Sequence, residues 1–335
     1  MSIKSIFVLF ITLASVIYIT SNPVHNSYSD KLLMSANIDF DSDKSVIIDL
    51  VYETDKSNYV GFTFNPNGPN QLMGLDRMYY TESKTPFTKS GNSSAIEVFK
   101  SCTDWIGPVM VKDNTLFNEY KSNFTGGWHT INQNNTENQT ARTRSIKVMV
   151  DSIEVDKDYN GRVKLLEIWV VNEIIGYNND FSKPWSPLLL ETVKYSITKR
   201  NISVDVEITA LKNATIERYY GLQTQNSPWA DTLSYESHSD NDNEIFKALS
   251  DNQSTTKSDG NIIENIRLEN DLFAMVVHLD TKYGVGNYKY VDDTKPYAFT
   301  KQYGKSYFNL INGRSLNLKS GESFFWRGQY MFTYK

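Results

Sequence analysis

Residues 193–210, VKYSITKRNISVDVEITA, decide the fold class of this chain. On either side of the polar residues Lys199, Arg200 and Asn201, an apolar residue occupies every second position. A period of two is typical of β-strands that bury one face and expose the other. Two such runs separated by a short polar turn predict an antiparallel hairpin.

Strand patterns recur along the whole sequence, at 46–52, 59–64, 146–150, 163–174, 215–222, 273–279, 307–311 and 324–334. The residues Asp-Tyr-Asn-Gly at 158–161 predict a turn between two strands, and residues 244–249 have the pattern of one short helix. Many strands with short turns and few helices predict an all-β fold. Strands of this length favour a large antiparallel β-sandwich over a small barrel.

Composition excludes several classes of protein. The 335 residues are 40% hydrophobic and 13% aromatic, which is enough for a large core and argues against disorder along the whole chain. The net charge is −5, with acidic and basic residues interspersed and no basic run, so neither nucleic acid nor an anionic membrane surface is an expected partner. The sequence has no zinc-ligand spacing, P-loop, dinucleotide fingerprint or Gly-x-Ser-x-Gly motif. No cofactor and no metal site are predicted.

The N-terminus has the pattern of a secretory signal. Lys4 precedes a mostly apolar run at 6–19, and small polar residues follow at 20–22. This run is shorter than the ~20 residues that a membrane-spanning helix needs. We therefore predict a cleaved signal peptide at 1–21, a single domain at 22–335, an extracellular location and no stable membrane insertion after cleavage. An uncleaved signal anchor is the alternative.

Two further features bear on a secreted chain. Cys102 is the only cysteine, so the domain is expected to depend on its core and not on an intramolecular disulfide. Glycosylation sequons, which are compatible with secretion but no more frequent than composition predicts, occur at Asn92, Asn123, Asn134, Asn138, Asn201, Asn213 and Asn252.

Three segments carry a resemblance to a known fold family. They are FTGGWH at 124–129 with TARTR at 140–144, the strand at 202–211 with TIERYYGLQ at 215–223, and LNLKSGES at 316–323 leading into 326–334. Together they resemble secreted proteins of the galactose-mutarotase-like β-supersandwich class, over residues 104–334. The resemblance implies that fold and a carbohydrate ligand on the concave sheet face. It implies no particular reaction, because the late catalytic Glu of the epimerases has no convincing match and Glu322 lies in a turn.

Within these segments, His129 is the candidate general acid or base, because an imidazole titrates near physiological pH. The alternative is a hydrogen-bonded loop histidine. Arg142 and Arg144 are candidates to hold a uronate carboxylate or sugar hydroxyls, since a guanidinium binds such groups bidentately. The alternative for this pair is surface salt bridges.

A sugar site also needs aromatic side chains, because sugar rings stack their C–H faces on them. The candidate ligand-binding residues are Trp105, Trp128, Tyr219, Tyr220 and Gln223. Trp169 and Trp326 lie in predicted strands and are expected in the core. Glu167 and Glu173 share a face of one strand but lie ~20 Å apart, too far for the carboxylate pair of a glycosidase.

The sequence therefore predicts a secreted protein that binds an oligosaccharide or polysaccharide. It leaves open whether that ligand is anionic and whether the protein catalyses a reaction on it. The alternative is a non-catalytic extracellular structural or adhesion glycoprotein. Convergence of His129, Arg142 and Tyr220 on one groove is the observation that separates the two hypotheses.

Overall fold

A computed structural model describes residues 34–40, 46–53, 59–81, 96–99, 106–117, 121–131, 138–226, 229–237, 244–247, 255–257, 262–301 and 303–335. All of them fall in one compact unit. The predicted signal peptide, Cys102 and Trp105 lie outside the described residues. No helix within these ranges is long and apolar enough to cross a membrane.

The regular secondary structure of the described residues consists almost entirely of β-strands. In chain order these are β1 Met34–Phe40, β2 Val46–Glu53, β3 Tyr59–Asn67, β4 Leu72–Thr81, β5 Ile96–Phe99, β6 Val109–Asp113, β7 Ala141–Val150, β8 Ile153–Val155, β9 Tyr159–Val163, β10 Leu166–Ile174, β11 Leu189–Thr198, β12 Asn201–Ala210, β13 Ala214–Gln225, β14 Thr232–Ser237, β15 Glu244–Lys247, β16 Thr255–Lys257, β17 Ile263–Glu269, β18 Phe273–Leu279, β19 Tyr290–Val291, β20 Ala298–Lys301, β21 Lys305–Leu318 and β22 Ser323–Tyr334. A short 3-10 helix, Gly284–Asn287, lies between β18 and β19.

The strands form three sheets. The large sheet has ten strands in the order β15-β14-β17-β18-β22-β12-β11-β10-β7-β8, and sheet 1 has six in the order β5-β4-β3-β2-β1-β9. Sheet 2 runs β16-β20-β21-β13-β6, with β19 added beside β21 as the one parallel neighbour among these pairs. The expected all-β, antiparallel sandwich is thereby confirmed.

Both small sheets pack on the same face of the large sheet. From sheet 1, the ring of Phe62 lies 4.9 Å from that of Phe332 in β22. From sheet 2, the hydroxyl of Tyr219 accepts a 3.0 Å hydrogen bond from the indole of Trp326, also in β22. A single cluster of buried side chains joins the three sheets. The opposite face of the large sheet, called the open face below, is not covered by either small sheet.

The hairpin predicted at 193–210 is present as β11 and β12, which pair from Leu189 with Ala210 to Thr198 with Asn201. Two local predictions were wrong. Residues 159–163 form strand β9 against β1 instead of a turn, because their backbone groups complete the edge of sheet 1. Glu244–Lys247 form strand β15 instead of the start of a helix, since pairing with β14 satisfies their backbone.

Candidate functional site

His129 and Tyr220 approach the same aromatic side chain. The ring of Phe124 lies 5.4 Å from that of His129 and 5.2 Å from that of Tyr220. Gly126 and Gly127 both have positive φ, which fits the unusual backbone that the glycine pair predicts. The carbonyl of His129 accepts hydrogen bonds from the Asn70 amide and from the hydroxyl of Thr140. These contacts hold the loop between the β3–β4 turn and the start of β7, and the acid or base role of His129 stays a prediction.

Three other candidates pack inward. Trp128 is partly buried against Gly68 and donates a 3.3 Å hydrogen bond to Asn67. Tyr219 is fully buried, and its hydroxyl is engaged by Trp326. Gln223 is also buried, and its main-chain carbonyl accepts a 2.7 Å hydrogen bond from the hydroxyl of Tyr330. In this structure Tyr219 and Gln223 are therefore part of the core between sheet 2 and the large sheet.

The two arginines lie at the edge of the open face. Arg142 forms a 2.8 Å ion pair with Glu173 and lies 4.8 Å from the ring centre of Trp185, whose indole N–H also donates to Glu173 at 2.9 Å. The charge of Arg142 and the indole N–H of Trp185 are thus both paired with the carboxylate of Glu173. Arg144 is the exposed residue at a β-bulge between β7 and β10, and it makes no ion pair with any described residue.

The described members of the predicted site are thus divided among separate environments. His129 and Tyr220 surround Phe124, and Trp128 packs against Gly68. Arg142 is held by Glu173, Arg144 is exposed, and Tyr219 with Gln223 lies in the core. The structure does not gather them around one described cavity.

A different set of side chains lines a groove on the open face, which has a volume of about 420 Å³. Its aromatic walls are Trp169 from β10, Phe325 from β22 and Tyr283 from the segment before the 3-10 helix. Its polar lining is Thr192 and Lys194 from β11 and Asp205 and Glu207 from β12.

Strand register explains why these side chains meet. Trp169 pairs with Lys194, Lys194 with Asp205, and Asp205 with Arg327, so the four lie in one row across four neighbouring strands. Cross-strand partners share a face of the sheet. The next row along the same face contains Thr192, Glu207 and Phe325. Three interstrand spacings place the two walls about 14 Å apart at the backbone.

The aromatic walls are open to solvent and held in position. Trp169 is 36% and Phe325 is 44% exposed. Lys194 lies 4.9 Å from the centre of the Trp169 ring, while the Tyr283 and Phe325 rings are 5.1 Å apart. Gly284 allows this second contact: it has φ of 56°, and a Cβ there would lie 1.8 Å from the carbonyl oxygen of Phe325. Only glycine fits such an approach.

Two carboxylates lie between the walls. Asp205 and Glu207 are two residues apart on β12 and therefore about 7 Å apart on one face. Neither forms a hydrogen bond or an ion pair with another described residue. The pKa of Asp205 is raised because surrounding protein atoms displace part of its hydration, although its side chain is exposed and Lys194 and Arg327 act in the opposite direction. No group of three or more acidic, His or Cys side chains in the described ranges could hold a metal ion.

The sequence contained a signal for this groove. In β10, Glu167, Trp169 and Glu173 occupy the same alternating face, and two carboxylates on that face indicate solvent. The prediction that Trp169 belongs to the core was wrong, whereas Trp326, on the opposite face of its strand, is fully buried as expected.

Comparison with known proteins adds little to this geometry. No protein-family model matches the chain, and no curated protein matches it. Among solved structures, a galactose mutarotase-like protein from Clostridium acetobutylicum aligns with 91% of this chain and 98% of its own, at 10% identity and a TM-score of 0.36. The candidate site rests on the groove itself.

Proposed function

We propose that this protein binds carbohydrate in the groove on the open face. The observation that carries the proposal is the combination of exposed aromatic walls, Trp169 and Phe325, with two unpaired carboxylates between them. Aromatic faces stack on the C–H faces of sugar rings, and carboxylates accept hydrogen bonds from sugar hydroxyls. The groove volume of about 420 Å³ also lies in the range of small-molecule sites.

Further donors and acceptors support a polyhydroxylated ligand. The hydroxyl of Thr192 and the indole N–H of Trp169 make no hydrogen bond with another described residue. Thr192 faces the groove from β11, next to the strand of the carboxylates, and Trp169 faces it from β10, one strand further away. A ligand with hydroxyl groups at several positions can pair with all of these groups at once, which favours a sugar over an apolar ligand.

The first test is oligosaccharide binding by the purified chain, screened on a glycan array and measured by titration calorimetry. Trp169→Ala and Phe325→Ala are each expected to weaken binding about 10-fold or more, because each removes a stacking surface. Phe117→Ala is the matched control, since Phe117 is 99% exposed and lies outside the groove. Unchanged affinity in the Trp169 variant, or no glycan bound by the folded chain, would refute the proposal.

We also propose that the protein acts outside the cell after removal of residues 1–21. The exposed side chain of Asn213, in a sequon, supports a glycosylated form. Expression of the full chain in eukaryotic cells is expected to deliver it to the medium, with a mass that falls after glycosidase treatment. Retention of the whole chain inside the cells would contradict secretion.

A further inference from the structure

The cations of the groove already have partners. The ammonium of Lys194 lies 2.6 Å from the carboxylate of Glu167. The guanidinium of Arg327, in the same row of side chains, contacts Asp280 at 2.7 Å and lies 4.3 Å from the centre of the Tyr283 ring. These two positive charges are each balanced by a carboxylate outside the pair formed by Asp205 and Glu207. They leave the groove without a free cation among its lining residues.

Neither Asp205 nor Glu207 forms an ion pair with a described residue, although Lys194 and Arg327, on the neighbouring strands, favour the charged form of Asp205. Asp205 and Glu207 point to the same side of β12, and both line the groove. Two like charges about 7 Å apart repel each other and raise the cost of bringing a third anion between them. A uronate would add such an anion, so the charge of the groove disfavours the anionic class of sugar.

The aromatic walls favour a cationic ligand over an anionic one. A lysine ammonium lies near the ring of Trp169 and an arginine guanidinium near the ring of Tyr283, so Phe325 is the wall that remains for a cation of the ligand. Phe325 contacts Tyr283 but keeps 44% of its surface exposed. An aromatic face attracts a cation through its quadrupole, and a neighbouring carboxylate adds a charge-assisted hydrogen bond.

Resting on the proposed function, we propose that the ligand of this groove is a carbohydrate that carries free, protonated amines, such as an oligomer of glucosamine. Its ammonium groups pair with Asp205 and Glu207, while its ring faces stack on Trp169 and Phe325.

The test compares three oligomers of equal length by titration calorimetry at low ionic strength: glucosamine, N-acetylglucosamine and glucose. The amine-bearing oligomer is expected to bind about 10- to 100-fold more tightly than the other two, the factor expected for a charge-assisted hydrogen bond. Added salt is expected to reduce this preference, because it screens the ammonium–carboxylate attraction.

Variants that remove one carboxylate charge test whether Asp205 and Glu207 cause the preference for the amine. Asp205→Asn and Glu207→Gln keep the shape of the groove, and each is expected to remove most of the preference for the amine while leaving binding of the neutral oligomers in place. Asp271→Asn is the matched control, because Asp271 is exposed in the turn between β17 and β18 and does not line the groove. It is expected to bind all three oligomers as the unmodified chain does.

The outcomes separate the two proposals. Equal affinity for the three oligomers would overturn the amine preference and leave carbohydrate binding intact. Binding of none of them, with the fold verified by circular dichroism, would count against both. A lysine-rich peptide that competes as well as the glucosamine oligomer would overturn the choice of a sugar amine.

Discussion

Asp49 shows how burial changes the chemistry of a single residue. It lies in β2 with 6% of its surface exposed, and its carboxylate accepts a 2.7 Å hydrogen bond from Thr63. Burial raises its pKa to about 6, an effect that Asp39 and Asp76 reinforce and that the Thr63 hydrogen bond and Arg77 oppose. The folded protein therefore holds this proton more tightly than the unfolded chain.

The raised pKa of Asp49 makes the folded protein less stable as the pH rises. Between pH 3.8 and about 6 the folded state binds more protons at Asp49, so the free energy of unfolding falls as the pH rises and stays lower above that range. Asp49→Asn is expected to raise the free energy of unfolding at neutral pH by about 2 kcal/mol and to flatten this slope. Urea titrations across the range measure it, with Asp271→Asn as an exposed control. An Asn variant with the parent's pH slope would be inconsistent with this assignment.

At the scale of an element, the hairpin of β7 and β8 turns through an unfavourable pair of residues. Asp151 and Ser152 have φ of 48° and 71° between the paired residues Val150 and Ile153. Two successive positive φ values are typical of a type I′ turn, which favours glycine at its second position. Asp151 has a separate role, since its carboxylate accepts two backbone hydrogen bonds, both 2.9 Å, from Lys164 and Leu165 between β9 and β10.

Ser152→Gly is therefore expected to stabilise the protein by about 1 kcal/mol, because it removes the steric cost of a left-handed Ser. Ser145→Gly provides a control of opposite sign: Ser145 is exposed within β7, where Gly is expected to cost about 0.5–1 kcal/mol. Chemical denaturation measures both. A loss of stability in the Ser152 variant would rule out this account of the turn.

At the scale of the whole molecule, the three sheets share one cluster of buried side chains. Phe62 belongs to sheet 1 and meets Phe332 in the large sheet, and Trp326 of the large sheet meets Tyr219 of sheet 2. Because no sheet buries its apolar face alone, we expect the described unit to unfold in one cooperative transition.

Phe62→Ala is expected to cost about 3–5 kcal/mol and to lower the unfolding temperature by roughly 5–10 °C. Tryptophan fluorescence and far-UV circular dichroism are expected to shift together, although Phe62 and Trp326 lie in different sheets. Phe117→Ala, at an exposed position, is expected to leave both signals unchanged. Separate transitions for the two probes would mean that sheet 1 unfolds independently.

The same molecular scale shows why the fold was easier to predict than the site. Most predicted strands are present because alternation is a local property: β7, β11 and β12 follow directly from it. The edge strand β9 was missed, since its partner β1 is distant in sequence and its own residues favour a turn. For the site, the sequence singled out loop aromatics and arginines by their neighbours along the chain, whereas the groove depends on neighbours across the sheet.

The sequence by itself determined that this chain folds into antiparallel strands with one solvent-exposed and one buried face, because an apolar residue at every second position is a pattern of only a few neighbouring residues. Only the tertiary structure decided which face of β10 is open. Apolar residues occupy both of its faces, and the placement of the small sheets leaves Trp169 on the uncovered one. Tertiary structure also brought Trp169 and Phe325, 156 positions apart in the numbering, to opposite walls of one groove. Strand order, which no local pattern encodes, sets that distance.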